Sequence, residues 1–234
     1  MTLSFASVRD RLLAGLTGDS EGPEAARPAL MLDMLSDYLP YRVFDTSSRL
    51  YINAASRGFI LQVAPLIGAD ERTGEILGSF FSEGLPAGAC VQVLHLASPR
   101  ISRIVAPWFA PRYEQGGVYE AIARARVRRL YDLVWNSGCR DAPFYARHHQ
   151  IFISVGVPAG SQVTNAELGS LREGLTGMLR SLNLTVAEVE PQALIALIDD
   201  LTSPTTAPQD EAVPYNPLDP ISSQAIRRDI ELRV

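Results

Sequence analysis

The sequence contains no lysine, because all 21 of its basic residues are arginine. This absence excludes several kinds of chemistry from the segment. A nucleotide-binding P-loop needs a lysine to reach the β- and γ-phosphates, Schiff-base enzymes need a lysine amine, and protein kinases need a lysine on their third strand. We therefore expect no ATP hydrolysis by the segment itself.

Cysteine is also scarce. Cys90 and Cys139 are too few for a disulfide framework, and neither belongs to a CxxC pair, so the pattern indicates a reducing compartment. No stretch of about 18 uncharged apolar residues occurs, and the opening residues 1–17 lack a signal-peptide cleavage site. The net charge of −5 is unlike that of proteins that coat nucleic acid, so no direct nucleic-acid binding is expected.

The hydrophobic pattern predicts an α+β fold. Two strand–helix–strand halves surround a long helical insertion, which favours an open, mixed or antiparallel sheet with helices packed on one face, in the general manner of a ferredoxin-like domain. The strands are predicted at 41–45, 50–53, 58–64, 89–97, 150–157 and 185–189, and the helices at 28–38, 70–83, 99–108, 118–136, 165–183 and 191–201.

Three regions are predicted along the chain. Residues 1–27 form a peripheral N-terminal helix and loop, and residues 28–203 form the α+β domain. Residues 204–234 form a proline-rich linker that leads into a following domain, since 229–234 has the pattern of a strand that is cut off as it begins. We expect the natural protein to continue beyond that point.

No catalytic, cofactor-binding or metal-binding residue is predicted. His95 and Cys90 are five positions apart on one strand and point to opposite faces, so they cannot share a metal ion. His148 and His149 are neighbours on a strand and also point to opposite sides. The acidic pairs Asp70–Glu71 and Asp199–Asp200 are assigned to structure, because neighbours on a helix do not face each other. The usual hydrolase, zinc, dinucleotide and calcium motifs are absent.

The strongest local charge feature is a group of arginines in the predicted helix 118–136, namely Arg124, Arg126, Arg128 and Arg129. Such a group is either a solvated helix face or a docking patch for an acidic protein, a DNA backbone or lipid headgroups. The apolar residues of the same helix recur at intervals of three or four, which predicts a face that packs against the rest of the domain. That face comprises Tyr119, Ile122, Val127, Leu130, Tyr131 and Val134.

A series of short motifs in fixed order resembles the opening of the TraC-type conjugative transfer ATPases. The resemblance extends from about residue 30 to 108 and more loosely to the end of the chain. Its order and spacing carry more weight than any single motif. The motifs are Leu39-Pro40-Tyr41, Phe44-Asp45, Asn53, Gly58-Phe59, the run from Ala64 to Ala69, and Leu85-Pro86.

The resemblance implies a cytoplasmic protein, peripheral at the inner membrane, that supports pilus assembly and substrate transfer in a type IV secretion system. It implies a RecA-like motor after this region, which would bind ATP and Mg²⁺ and form hexamers, whereas this segment would bind neither. The implied task here is docking to inner-membrane components, to neighbouring copies and to the protein's own motor domain. Two alternatives remain open: a free-standing adaptor, and a small enzyme with a site built from His95, His148 and Asp45.

Overall fold

The computed structural model describes residues 33–66, 68–202, 214–226 and 231–232, so the predicted helix and loop at 1–27 lie outside the described residues. Eight strands, six α-helices and one short 3-10 helix (Leu35–Tyr38) occur in the described part. The strands are β1 (Asp33–Met34), β2 (Tyr41–Asp45), β3 (Leu50–Asn53), β4 (Ser56–Val63), β5 (Cys90–Ser98), β6 (His148–Pro158), β7 (Val186–Glu188) and β8 (Glu231–Leu232). The helices are α1 (Glu71–Glu83), α2 (Ser102–Gln115), α3 (Gly117–Trp135), α4 (Asn165–Ser181), α5 (Pro191–Thr202) and α6 (Ile221–Ala225).

Six strands form one antiparallel sheet, which confirms the predicted α+β class. The order is β2-β3-β4-β6-β5, and β7 pairs with the end of β4 that β3 leaves free. The two predicted halves are present as β4–α1–β5 and β6–α4–β7, and together they have the connectivity of a β–α–β–β–α–β unit. Beyond this connectivity, the resemblance to a ferredoxin-like domain stays a prediction.

Helices cover both faces of the sheet, so the prediction of helices on one face is wrong. One face packs on α4, where Leu61 of β4 joins a buried cluster with Leu168 and Leu175. The other face packs on α5 and α6, where Ile60 of β4 joins a second cluster with Ile195. The reason is that β4 is apolar at successive positions, and a strand that is apolar on both sides must be covered on both sides.

Helix α6 closes the second face and was not predicted. Ile221 and Ala225 are fully buried in the same cluster as Tyr51 and Ile195. Residues 214–226 were predicted to belong to a linker that leads away from the α+β domain. Instead they pack on that domain. The division of the chain at residue 203 itself stays a prediction.

The helix predicted at 28–38 is wrong in its described part. Asp33–Met34 is a short strand that pairs antiparallel with Glu231–Leu232, and a single 3-10 turn follows it. The Asp37 side chain accepts a hydrogen bond from the Met34 N–H at 3.1 Å and stabilises that turn. The pairing of these two strands, which lie near opposite ends of the chain, thus outweighs the local helical spacing, because helix propensity is only a weak preference.

Candidate docking surface

A pair of helices projects from one end of the sheet between two neighbouring strands. Strands β5 and β6 pair along their whole length, up to Ser98 opposite His148. The intervening residues 99–147 form α2, α3 and a returning loop, and we call this segment the helical arm. Gly116 and Gly117 join the two helices with φ values of +66° and +59°, a conformation that glycine adopts without strain.

The base of the helical arm is fixed to the sheet by ion pairs. Arg100 contacts both Asp200 and Asp199 of α5, the latter at 3.7 Å, and all three side chains are almost buried. Within the arm, just before β6 begins, the Arg147 guanidinium donates a hydrogen bond to the Val134 carbonyl oxygen of α3 at 2.6 Å. Both carboxylates of the acidic pair thus contact one guanidinium, although neighbours on a helix were expected not to face each other, and that guanidinium comes from a segment 100 residues away in sequence.

The interior of the helical arm is small. Its buried cluster consists of Ile101, Val105 and Val134, with Val127 and Ala146 packed against it. This cluster is separate from the two clusters of the sheet. The arm is therefore held together mainly by the contact between α2 and α3 rather than by the sheet.

The apolar face predicted for the long helix is only partly buried. Val134 is buried, but Tyr119, Ile122 and Tyr131 keep 64%, 54% and 43% of their surface exposed. The prediction that this face packs is thus wrong for these three residues and for Leu130, because α2 offers a single partner helix and covers one side of α3. Further large apolar residues of the arm are exposed, namely Ile104, Tyr113, Val118, Leu130, Trp135, Phe144 and Tyr145.

Helix α2 is longer than predicted. The expected end near Trp108 is wrong, since the helix continues through Pro107 and Pro111. Each proline removes one backbone donor. The Trp108 ring nonetheless lies under two guanidinium groups, with Arg112 Cζ at 4.3 Å and Arg126 Cζ at 6.0 Å from the ring centroid. The Arg112 contact lies within α2 and favours the continued helix, whereas the Arg126 contact joins α3 to α2.

Two of the predicted docking arginines already have partners within the arm. Arg124 Nε donates to Glu120 Oε1 at 2.7 Å, and this hydrogen bond is the main cause of the raised pKa of Arg124. Arg129 Nη1 lies 3.3 Å from Asp132 Oδ2. Both pairs are exposed and are separated by three or four residues, so each contributes little to stability.

The other two predicted docking arginines differ. Arg126 packs over the Trp108 ring, whereas Arg128 is exposed and has no hydrogen-bond or ion-pair partner among the described residues. The four arginines do not share one face. Helical spacing places Arg124 and Arg128 with Tyr131 and Trp135, and it places Arg126 and Arg129 on another side with Val118 and Ile122. Both outer sides of α3 therefore combine arginine with exposed apolar groups.

The helical arm also differs in charge from the rest of the chain. Residues 99–147 contain nine arginines and four acidic residues. The rest of the chain contains the other 12 arginines and 22 of the 26 acidic residues. The arm is thus a basic, aromatic-rich projection on an acidic protein. Exposed tyrosine, tryptophan and arginine are the residue types that dominate protein interfaces.

The histidines are divided between the two faces of the sheet. His95 Nε2 of β5 lies 3.0 Å from His149 Nδ1 of β6, and this contact is exposed. His148 points to the opposite face, as predicted, where burial and then Arg103 lower its pKa. The contact between His95 and His149 was not predicted, because it depends on the register between two strands that are 54 residues apart.

The residues of the alternative enzyme site do not meet. Asp45 lies at the end of β2, four strands away from β5, where it accepts hydrogen bonds from Ser47 and Ser48. These bonds, that of Ser48 first, lower the pKa of Asp45 to about 2. His95 and His148 lie on opposite faces of the sheet. Within the described ranges, no cluster of three or more metal-binding side chains occurs.

A groove lies between α1 and α4. It is lined mainly by apolar groups such as Phe80, Leu85 and Leu171. Its one carboxylate, Glu167, accepts a hydrogen bond from the Thr164 N–H at 2.6 Å and caps the start of α4. The pKa of Glu167 is lowered by that bond, so the carboxylate serves the helix terminus.

Comparison with known proteins gives two findings. A family model described as TraC protein matches residues 35–234. Protein TraC of Escherichia coli (strain K12) is 27% identical over 173 residues, which is 71% of this chain and 20% of that relative, so the chain spans about a fifth of its length. No solved structure matches the chain. Among the described helices, none has the length and apolarity needed to cross a membrane.

Proposed function

The chain belongs to the TraC protein family, and on that premise we propose that it is the docking part, rather than the motor, of a conjugative type IV secretion ATPase. In this role the helical arm binds inner-membrane components of the secretion machine. Neighbouring copies and the motor domain of the full-length protein are its further partners. The protein then acts on the cytoplasmic side, peripheral at the inner membrane.

The surface of the helical arm is the observation that supports this proposal. Contiguous exposed apolar groups mark interaction sites on proteins, and the arm carries ten large apolar side chains that are exposed. The arginines between them favour an acidic partner and increase its rate of encounter. The arm also lies outside the two cores of the sheet, so a partner can cover it without disturbing the fold.

Docking without catalysis is the second element of the proposal. The absence of lysine removes the residue that a P-loop requires, and the groups of the alternative enzyme site are dispersed over the sheet. We expect no heat of binding when ATP and Mg²⁺ are titrated into the chain. A micromolar binding isotherm would contradict this assignment.

The test of docking measures recruitment to inner membranes. Membranes are prepared from cells with and without the genes of the conjugative machine, and the purified chain is mixed with each and sedimented. We expect the chain to be retained only by membranes that contain the machine. The charge reversal Arg124→Glu with Arg128→Glu should abolish this retention, since it places two negative charges on the basic arm.

A matched control separates docking from general charge effects. Arg72→Glu with Arg180→Glu reverses two arginines of the sheet's helices, outside the arm, and should leave retention unchanged. Equal retention by both membrane preparations would indicate lipid binding and contradict the proposed protein partner. If the membranes still retain the chain after Arg124 and Arg128 are changed to glutamate, their side of the arm is excluded as the docking surface.

A further inference from the structure

Two of the three histidines of the sequence meet on one face of the sheet. His95 of β5 lies opposite Ile151 of β6, and His149 lies two residues before Ile151 on that strand. The two imidazoles therefore project from the same face at diagonal positions. His95 Nε2 and His149 Nδ1 are 3.0 Å apart, and the ring centroids are separated by 5.2 Å.

The histidine pair is accessible from solvent. Both side chains are exposed, and β5 is an open edge of the sheet, with no strand on its other side among the described residues. The cation nearest to His149 in sequence, Arg147, is engaged within the arm, where it donates to the carbonyl oxygens of Val134 and Ala146. An exposed hydrogen bond between two imidazoles adds little stability, because water competes for both nitrogens.

The separation of the two nitrogens suits two ligands of one metal ion. Neutral imidazole is the commonest metal ligand in proteins. With metal–nitrogen bonds of about 2.0–2.1 Å, two such nitrogens are about 3.0 Å apart at a right angle and about 3.4 Å apart at the tetrahedral angle. The observed 3.0 Å is at the lower end of this range. Small rotations of the two exposed rings would direct both nitrogens at one ion instead of at each other.

We propose that His95 Nε2 and His149 Nδ1 bind one divalent transition-metal ion of the class that prefers imidazole, such as Ni²⁺, Cu²⁺ or Zn²⁺. Each of these nitrogens then presents a lone pair, so His95 carries its proton on Nδ1 and His149 carries its proton on Nε2. Water fills the other coordination positions, since no third metal-binding side chain joins the pair within the described ranges. Mg²⁺ and Ca²⁺ do not fit, because they take oxygen ligands. The inference does not depend on the docking role of the arm.

The bound ion would link the two strands from which the helical arm projects. His95 lies three residues before Ser98, where β5 ends, and His149 is the second residue of β6. A metal ion at this place joins β5 to β6 at the base of the arm, on the face of the sheet opposite His148. A ligand that binds only the folded chain stabilises it, so the ion stabilises the pairing of these two strands.

Calorimetric titration of NiCl₂ into the purified chain tests the proposal. The chain carries no polyhistidine tag, and Cys90→Ser with Cys139→Ser removes the two exposed thiols, which would compete as ligands. At about pH 7.5, where the ion competes well with protons for imidazole, we expect one ion per chain with a dissociation constant on the order of 10 µM. His95→Asn and His149→Asn should each raise that constant about tenfold or more, because the second nitrogen binds within an existing complex.

The matched control is His148→Asn, which removes the third histidine of the chain from the opposite face of the sheet. It should leave the dissociation constant unchanged, and circular dichroism checks that all three variants are folded. An equal loss of affinity in His148→Asn, or binding that is unaffected by His95→Asn and His149→Asn, would overturn the proposal. So would the absence of any binding at Ni²⁺ concentrations up to about 1 mM.

Thermal unfolding provides an independent readout. Ni²⁺ at 100 times its dissociation constant should increase the folding equilibrium constant about 100-fold and so raise the melting temperature of the chain and of its His148→Asn variant. An excess of EDTA should reverse this rise, and Mg²⁺ at the same concentration should not produce it. An equal rise in His95→Asn or His149→Asn, or with Mg²⁺, would show that the histidine pair does not hold the ion.

Discussion

The sheet and the helical arm are built from similar residues but use them differently. The sheet, with α1, α4, α5 and α6, buries leucine, isoleucine and valine in two large clusters, one on each face. The arm buries three such side chains and leaves its tyrosines, its Trp135 and several aliphatic residues exposed. The comparison shows that an apolar periodicity predicts a helix equally well in both regions, but it predicts burial only where a partner element exists.

The largest expected difference between the two regions is the cost of removing an apolar side chain. Leu61→Ala, at a fully buried position in β4, should lower the free energy of unfolding by about 4 kcal/mol through lost burial and the cavity left behind. Ile122→Ala, at an exposed position in the arm, should change it by less than about 0.5 kcal/mol. Urea unfolding measures both values, and equal costs would show that the arm has a packed side not seen here.

The joint between the two regions should be nearly as sensitive as the sheet. Arg100→Ala leaves the carboxylates of Asp199 and Asp200 without this cation in an almost buried site, and we expect a loss of about 3 kcal/mol. Arg128→Ala, at an exposed arginine of the arm, is the control and should be close to neutral. If the two variants unfold at the same urea concentration, the ion pairs do not fix the arm to the sheet.

Glycine substitutions sharpen the comparison at the level of the backbone. A Cβ at Gly58 in β4 would lie 2.1 Å from the Val155 carbonyl oxygen of β6, so Gly58→Ala should cost about 2 kcal/mol or more. Gly117 in the arm has open space around it but a φ of +59°, so Gly117→Ala should cost only about 1 kcal/mol. Thermal unfolding of the two variants measures which substitution lowers stability more. The reverse order would mean that β4 and β6 separate easily.

The smallest expected effect is a pH dependence at the joint. Burial and Arg103 lower the pKa of His148 below its ordinary value of 6.5, so the unfolded chain takes up this proton more readily than the folded one. The folded chain is favoured while His148 is neutral. This contribution to the free energy of unfolding is complete above pH 6.5 and is lost as the pH falls through the lowered pKa of His148. The melting temperature of wild type should therefore fall more than that of His148→Asn between about pH 7.5 and 5.5.

The control for this prediction is His149→Asn, which changes the neighbouring, exposed histidine on the other face of the same strand. It should keep most of the steeper pH dependence of wild type, since the two larger causes of the lowered pKa of His148, its burial and Arg103, are intact. Parallel curves for wild type and His148→Asn would show that His148 does not contribute to the stability of the joint.

Much of the fold could be predicted from the sequence because its signals are local. The short apolar runs of β2, β3 and β4 and the proline that begins α5 are patterns within a few residues, and the structure has these elements where they were expected. The cap of α1 is equally local, since the Asp70 carboxylate accepts the Thr73 N–H at 2.8 Å. Errors occurred where distant segments meet, as in the pairing of β1 with β8 and the burial of α6.

The candidate docking surface was predicted in part. The arginines of α3 were identified from their spacing, but the exposed tyrosines beside them were expected to be buried. Periodicity shows that Tyr119 and Ile122 belong to an apolar side of a helix, and it cannot show that nothing packs on that side. The aromatic part of the surface therefore became visible only when the neighbours of α3 were known.

By itself, the sequence determined the α+β class, the missing lysine chemistry, the basic segment between two strands and the resemblance to one family. The tertiary structure decided which apolar residues are buried, which edge of the sheet is open, and which acidic residues hold Arg100. The physical reason is that helix, strand and charge preferences act over a few neighbouring residues. Burial and pairing depend on segments that the fold brings together from opposite ends of the chain.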